Sequence, residues 1–293
     1  MRIHRTTGIG ALLLTLSACA STGVNPRKEG PVRRSVRFEG MNVVYASRGR
    51  GEPALVFVHG WSCDRSFWEA QMASPTLARG RRLLAVDLPG HGESDKPAIH
   101  YTMDLFARAI ASALDDAGVR RAVLVGHSMG TPVIRQFYRL HPSRTAGLVM
   151  VDGPLQPFLD NSASWEEFLA PLRGADYREW AGKFVEARLD PATDPAERDH
   201  VRRVILATPQ HVMIGSMEAF SDPAIWKEDP IEVPVLMVMA KGPFATPEFE
   251  AFLKRLAPRA DYRVMEGVSH FLMMDRPAEF NDMVGDWLAR NGL

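Results

Sequence analysis

Cysteine is scarce: Cys19 and Cys63 are the only two in 293 residues. That is too few for a disulfide-stapled scaffold, so the fold has to rest on its core. Charge of one sign is missing as well. The 35 basic and 35 acidic residues cancel, and no Lys/Arg block tracks a phosphate backbone, which argues against nucleic acid as a partner. No apolar run is long enough to span a bilayer. There is no HExxH, no paired cysteine and no His/Asp cluster at ligand spacing, so no metal is expected. A dinucleotide-binding glycine fingerprint is absent too, and no organic cofactor is implied. These exclusions leave a small-molecule substrate as the default partner.

With 46% hydrophobic and 24% charged residues, the chain can bury a large core. The first residues stand apart from it. Arg2, His4 and Arg5 precede a short apolar stretch from Ile9 to Leu16, and no acidic residue occurs before Glu29. This is the layout of a secretory signal. Its end, Leu16-Ser17-Ala18-Cys19, resembles the lipobox of bacterial lipoprotein precursors. That resemblance implies cleavage before Cys19 and a diacylglyceryl group on its thiol. Ala20 stands where an Asp would retain the protein at the inner membrane, so the resemblance points to the outer membrane. Residues 1–18 are then a signal peptide and 19–31 a lipidated, polar tether carrying Asn25-Pro26 and Lys28-Glu29. The expected location is outside the cytoplasm, anchored to a cell-envelope membrane through Cys19.

From Val32 the pattern becomes strands alternating with helices. Val36 to Phe38 and Val43 to Ala46 flank Gly40-Met41-Asn42 and suggest an antiparallel hairpin. Continuous apolar runs follow at 54–58, 83–86, 122–125, 147–151 and 235–239, with a last strand at 262–265. Runs without alternation suit strands buried on both faces. Amphipathic stretches at 66–77, 103–117, 132–140, 247–256 and 277–290 supply the covering helices. A doubly wound α/β fold with a mostly parallel sheet is therefore expected. Between Val151 and Val233 no strand run occurs. Helical patterns rich in Trp, Phe, Arg and Glu, punctuated by prolines at 171, 191, 195, 209 and 223, predict an insertion over 153–230 that caps a core made of 32–152 and 231–293.

Gly126-His127-Ser128-Met129-Gly130 follows an apolar strand run and precedes a helical pattern, the setting that a Gly-x-Ser-x-Gly nucleophile elbow demands. Such a turn lifts the serine to a helix N-terminus, where developing negative charge is favoured. Together with His59-Gly60-Trp61, Asp87-Leu88-Pro89-Gly90-His91-Gly92 and His270 near the C-terminus, this order of motifs resembles the α/β-hydrolase superfamily over about residues 34 to 291. The resemblance implies Ser128 as nucleophile, the backbone amides of Trp61 and Met129 as oxyanion donors, and His270 as general base. Serine needs such a base because its hydroxyl is hardly ionised at neutral pH. His59, Asp87 and His91 read as scaffolding, and His141, His200 and His211 as residues of helix faces.

One departure stands out. Many members of the superfamily carry an Asp after the strand corresponding to 235–239, and here Ala240-Lys241-Gly242-Pro243 follows. Asp152, at the end of the 147–151 run, takes that place in some relatives and is the expected acid, with Glu248, Glu266 or a Ser/His dyad as alternatives. Trp61, Met129, Phe158, Phe244 and Phe271 stand beside these motifs or at the cap entrance and could line an apolar pocket. A carboxylesterase for small or medium apolar acyl groups is the leading expectation. Carbon–carbon bond hydrolysis, thioester or amide hydrolysis, perhydrolysis, and a lipid-anchored binding protein without turnover are the rivals. Oligomeric state is left open.

Overall fold

The computed structural model describes residues 30–159 and 161–293. The signal, the lipobox and Cys19 lie outside the described residues. Strands β1 (Val32–Phe38) and β2 (Met41–Gly49) form the antiparallel hairpin, closed at Glu39-Gly40. Met41 and Asn42, expected in the turn, instead begin β2, because Glu39 and Gly40, both left-handed at φ 46° and 81°, reverse the chain in two residues.

The remaining strands are β3 (Ala54–Val58), β4 (Arg82–Val86), β5 (Ala122–His127), β6 (Thr145–Val151), β7 (Val235–Ala240) and β8 (Asp261–Met265). They build one eight-stranded sheet in the order β1-β2-β4-β3-β5-β6-β7-β8. Only β2 runs against the rest. In β3, β5 and β6 every residue is buried, which is why their sequences show no alternation: both faces are covered.

Helices α1 (Glu69–Ala73), α2 (Met103–Asp116), α3 (Gly130–Leu140), α8 (Pro247–Leu256), α9 (Leu272–Asp275) and α10 (Pro277–Arg290) accompany the sheet, while α4 (Ser162–Arg173), α5 (Tyr177–Glu186), α6 (Pro195–Ala207) and α7 (Gln210–Glu218) all fall between β6 and β7. Local chemistry sets their starts. Thr102 caps α2 by accepting from the Leu105 N–H at 3.0 Å, and Asn161 caps α4 through the Ser164 N–H at 3.0 Å. Pro195 and Pro247 open α6 and α8 behind the caps Asp194 and Thr246, where a missing N–H costs nothing. Of the prolines in the insertion, Pro195, Pro209 and Pro223 mark helix starts, while Pro171 sits inside α4. The stretch 66–77 is less helical than its pattern suggests: a 3-10 turn over Arg65–Trp68 and the five residues of α1 are all that forms.

The insertion is tied to the core by aromatic contacts. Trp61, after β3, meets Phe184 of α5 edge-on at 5.4 Å, and its Nε1–H donates to the Met213 carbonyl of α7 at 2.8 Å. Within the insertion, Phe184 stacks on Trp180 at 5.0 Å and meets Phe168 edge-on at 5.9 Å.

Below the insertion, the turns after β3 and β4 are locked by buried polar groups. His59 Nδ1–H donates to the Gly60 carbonyl at 2.8 Å while its Nε2 accepts the Leu88 N–H at 3.1 Å. Asp87 accepts the N–H groups of Arg65 (2.8 Å) and Glu93 (2.9 Å) and is ion-paired with the Arg65 guanidinium. His91 is buried and bonds the Pro89 carbonyl through Nδ1 at 3.0 Å. These residues serve the scaffold. Burial holds His59 below the ordinary imidazole pKa and His91 well below it.

Two outcomes are expected. Leu124, fully buried in the central strand β5, should cost roughly 2–5 kcal/mol on Leu124→Ala, measured by urea unfolding; a loss of only a few tenths would mean the sheet centre is not the core. Because folding depresses the pKa of His59 and His91, both stay neutral in the native state while the unfolded chain protonates them near pH 6.5. Their contribution is complete above that pH and is lost as pH falls below it, by up to about 1.4 kcal/mol per unit for each imidazole. Melting temperature between pH 7 and 5 should therefore drop, and drop less steeply in His91→Gln.

Candidate functional site

Strand β5 ends at His127 and α3 begins at Gly130, so Ser128 and Met129 are the whole turn. Ser128 sits at φ 53°, a left-handed conformation that costs a residue with a Cβ and persists only where neighbours enforce it. The enforcement is visible. The Ser128 N–H donates to the Val151 carbonyl at 2.8 Å, and its carbonyl accepts the Thr131 N–H at 2.9 Å. The flanking glycines are needed for close approach: a Cβ on Gly126 would lie 2.3 Å from the Gly130 oxygen, and one on Gly130 would lie 2.5 Å from the Val58 oxygen.

One strand over, Asp152 follows β6 at φ 44°. Its N–H donates to the Val238 carbonyl at 2.8 Å. Its two carboxylate oxygens have separate partners. Oδ1 accepts the Ala240 N–H at 2.9 Å, and Oδ2 lies 2.6 Å from Nδ1 of His270. The β7 exit, where the superfamily pattern has a carboxylate, here donates a backbone N–H that fixes a carboxylate from the neighbouring strand. The side chains of His270 and Asp152 are 18% and 13% exposed, shielded from bulk water yet open to the cavity beside them. Glu248 and Glu266 are exposed; Glu266 pairs with Lys241 at 2.6 Å and Glu248 lies in the first turn of α8. Neither bonds His270.

His270 is held from both sides along its backbone. Its N–H donates to the Arg188 carbonyl at 3.0 Å, and its carbonyl accepts from His127 Nε2 at 2.9 Å. A carbonyl can only accept, so the His127 Nε2 carries the proton. Burial, reinforced by the neighbouring His270 ring 4.6 Å away, holds the His127 pKa well below its ordinary value. With Asp152 on Nδ1, the Nε2 of His270 is the nitrogen left for proton transfer. Among the described residues no hydrogen bond joins it to Ser128.

A cavity of about 720 Å³ unites these groups: Ser128, Asp152, His270 and Trp61 all line it. So do Phe158, Phe244 and Phe271, with Phe184, Leu189, Ile205 and Met217 from the insertion. Met129 was expected there and is not; its side chain is fully buried in the core, since residue two of the turn faces the sheet as the serine faces out. Its backbone N–H and that of Trp61 donate to no backbone acceptor outside regular elements among the described residues. Among the lining residues that were not anticipated, Cys63, His127 and Arg188 carry polar or titratable side chains. Arg188 stands four residues after Phe184, whose ring its guanidinium covers at 3.4 Å, a spacing too common in helices to have singled it out. Among the described residues no group of three or more His, Cys, Asp or Glu is arranged to hold a metal ion, and no helix is long and apolar enough to cross a membrane.

Known proteins give this arrangement its family. The profile of the Alpha/beta hydrolase family matches residues 55–283. A putative non-heme haloperoxidase of Mycobacterium phage D29 is 32% identical over 168 residues, 57% of this chain and 58% of that one. A solved N-acyl homoserine lactone degrading enzyme superposes with TM-score 0.71 at 28% identity, covering 86% of this chain and 98% of its own. The enol-lactonase from Burkholderia xenovorans LB400, at 22% identity, shares the fold with TM-score 0.75 over 87% of this chain and 100% of that one. The chain spans only 27% to 58% of the length of the curated relatives it matches first. With the match covering most of the sheet and its helices, the chain belongs to the alpha/beta hydrolase family.

Proposed function

We propose that this hydrolase is a serine carboxylesterase that cleaves small or medium esters with an apolar body through an acyl-enzyme, with Ser128, His270 and Asp152 as its triad. The observation that carries the reading is the 2.6 Å contact between His270 Nδ1 and Asp152 in the same cavity as the elbow serine. A serine hydroxyl becomes a nucleophile only beside a base, and an imidazole is a directed base only when its other nitrogen is held.

In this mechanism Ser128 Oγ attacks the ester carbonyl while His270 Nε2 takes the hydroxyl proton. Negative charge gathers on the carbonyl oxygen and meets the N–H groups of Trp61 and Met129, each worth about 3 kcal/mol in the transition state. The imidazolium, stabilised by Asp152, returns its proton to the departing alkoxide. Water then attacks the acyl-enzyme by the same route and frees Ser128. Carboxylate-nucleophile chemistry, as in epoxide hydrolases, does not suit an elbow that carries serine. The 28% identical lactone-degrading enzyme favours one extension: a lactone is a cyclic ester open to the same attack and belongs in the substrate panel.

A fluorophosphonate probe should label Ser128, and Ser128→Ala should abolish both labelling and hydrolysis of p-nitrophenyl esters. Asp152→Asn should lower kcat by about ten-thousandfold with the fold intact; near-full turnover with an activated ester would remove Asp152 from the mechanism. A folded protein that takes up no probe would instead be a binding protein.

We further propose that Cys19 bears a lipid anchor and that the hydrolase acts at the bacterial envelope, at the outer membrane. Leu16-Ser17-Ala18 before the cysteine and Ala20 after it support this, and multiple acyl chains at about 0.8 kcal/mol per buried methylene make such anchoring durable. Cells fed a clickable fatty acid should yield labelled protein in the outer-membrane fraction, with no label in Cys19→Ala. An unlabelled mature wild-type chain would refute the anchor.

A further inference from the structure

We infer that Arg188 is an anion-binding residue inside the substrate cavity, and that the esters this protein prefers carry a carboxylate alongside their apolar body. The inference rests on the serine esterase reading for the reaction and adds the class of substrate.

Arg188 follows α5 in the insertion and lines the cavity shared by Ser128 and His270. The guanidinium is half-buried. It lies over the Phe184 ring, and Nη1 donates to the Phe184 carbonyl at 2.7 Å. Those two contacts fix its plane and use one of five N–H groups. Among the described residues no carboxylate lies within 4.0 Å of it. The other charged groups lining the cavity are already engaged. Asp152 holds His270, Lys241 pairs with Glu266, and Asp190 caps its own turn by accepting the Ala192 N–H at 2.8 Å.

The cation is therefore oriented, desolvated and, among the described residues, without a carboxylate partner of its own. Burial pushes its pKa down to about 10, only partly opposed by Asp152. A buried charge left unpaired is costly, and a guanidinium fork fits a carboxylate better than any neutral group. Most other side chains around the cavity are apolar. An apolar chain ending in a carboxylate would fill both halves of this chemistry.

Arg188 also touches the reaction centre through its backbone, because its carbonyl accepts the His270 N–H at 3.0 Å. An anion seated on the guanidinium would thus be held by the residue that braces the histidine loop. Side-chain substitution keeps that backbone bond available, which separates anion recognition from support of the loop.

The experiment uses the folded, full-length protein and two matched ester pairs. On the acyl side, p-nitrophenyl hydrogen glutarate is compared with its methyl ester. On the leaving-group side, the acetate of a carboxyphenol is compared with the acetate of the methyl carboxylate. In the wild-type chain at least one anionic member should exceed its neutral partner in kcat/KM by roughly ten- to hundredfold, as a charge-assisted hydrogen bond provides. Arg188→Gln should bring that ratio to about one, and Arg188→Lys should restore part of it. Ratios at or below one in both wild-type pairs, or a ratio unchanged in Arg188→Gln, would overturn the inference. The wild-type ratio needs no variant, so the test survives if Arg188→Gln does not fold. Fluorophosphonate labelling of Ser128 with both ratios near one removes the anion site and leaves the esterase reading standing. Should labelling and turnover both be absent, calorimetric titration of glutarate still decides: binding that weakens at least tenfold in Arg188→Gln supports the site, and equal or absent binding overturns it.

Discussion

Everything at the site depends on how closely β5 and α3 approach each other around Ser128. The turn between them is two residues long, and it exists because Gly126 and Gly130 present no Cβ to the backbone oxygens 2.3 and 2.5 Å from where one would stand. The serine is forced into a left-handed conformation and projected out of the sheet. Neighbouring exits pay similar strain: Ser62 after β3 and Asp152 after β6 are at φ 57° and 44°. Backbone strain of this kind survives only where surrounding hydrogen bonds over-determine the geometry. Here the carbonyls of Val151 and Val238, on the adjacent strands, hold the N–H groups of Ser128 and Asp152. The rigid middle of the sheet is what positions the chemistry.

Much of this was legible in the sequence because burial on both faces writes itself as uninterrupted apolar runs. The runs 54–58, 122–125 and 147–151 lie within β3, β5 and β6, and the fold class followed. The insertion was visible as the place where such runs stop. What the sequence could not carry was pairing over distance. Asp152 and His270 are 118 positions apart, and nothing local at either one names the other. After β7, where no carboxylate stands, the chain offers a backbone group that bonds Asp152, the Ala240 N–H, which every residue except proline possesses and which therefore leaves no trace in composition.

Two misreadings have the same origin. Met129 looked like a pocket residue because it adjoins the serine, but in a sharp turn successive side chains diverge, and its own is sunk into the core. Arg188 was passed over because the insertion is rich in Arg and Glu, most of which are solvated or paired on helix faces, as Arg198 and Arg202 are with Glu186. Its difference lies in facing inward over Phe184, and an isolated arginine beside an aromatic does not announce which way it turns.

Placing the carboxylate on β6 has a consequence for the loop after β7. In this chain Lys241 to Phe244 line the cavity, with Phe244 70% exposed, and the Ala240 N–H before them bonds the Asp152 carboxylate rather than the histidine. Among the described residues, no side chain of that segment bonds His270. The segment can lengthen, shorten or change composition without disturbing the contact between Asp152 and His270, so the mouth of the cavity and the pair beneath it are separately adjustable.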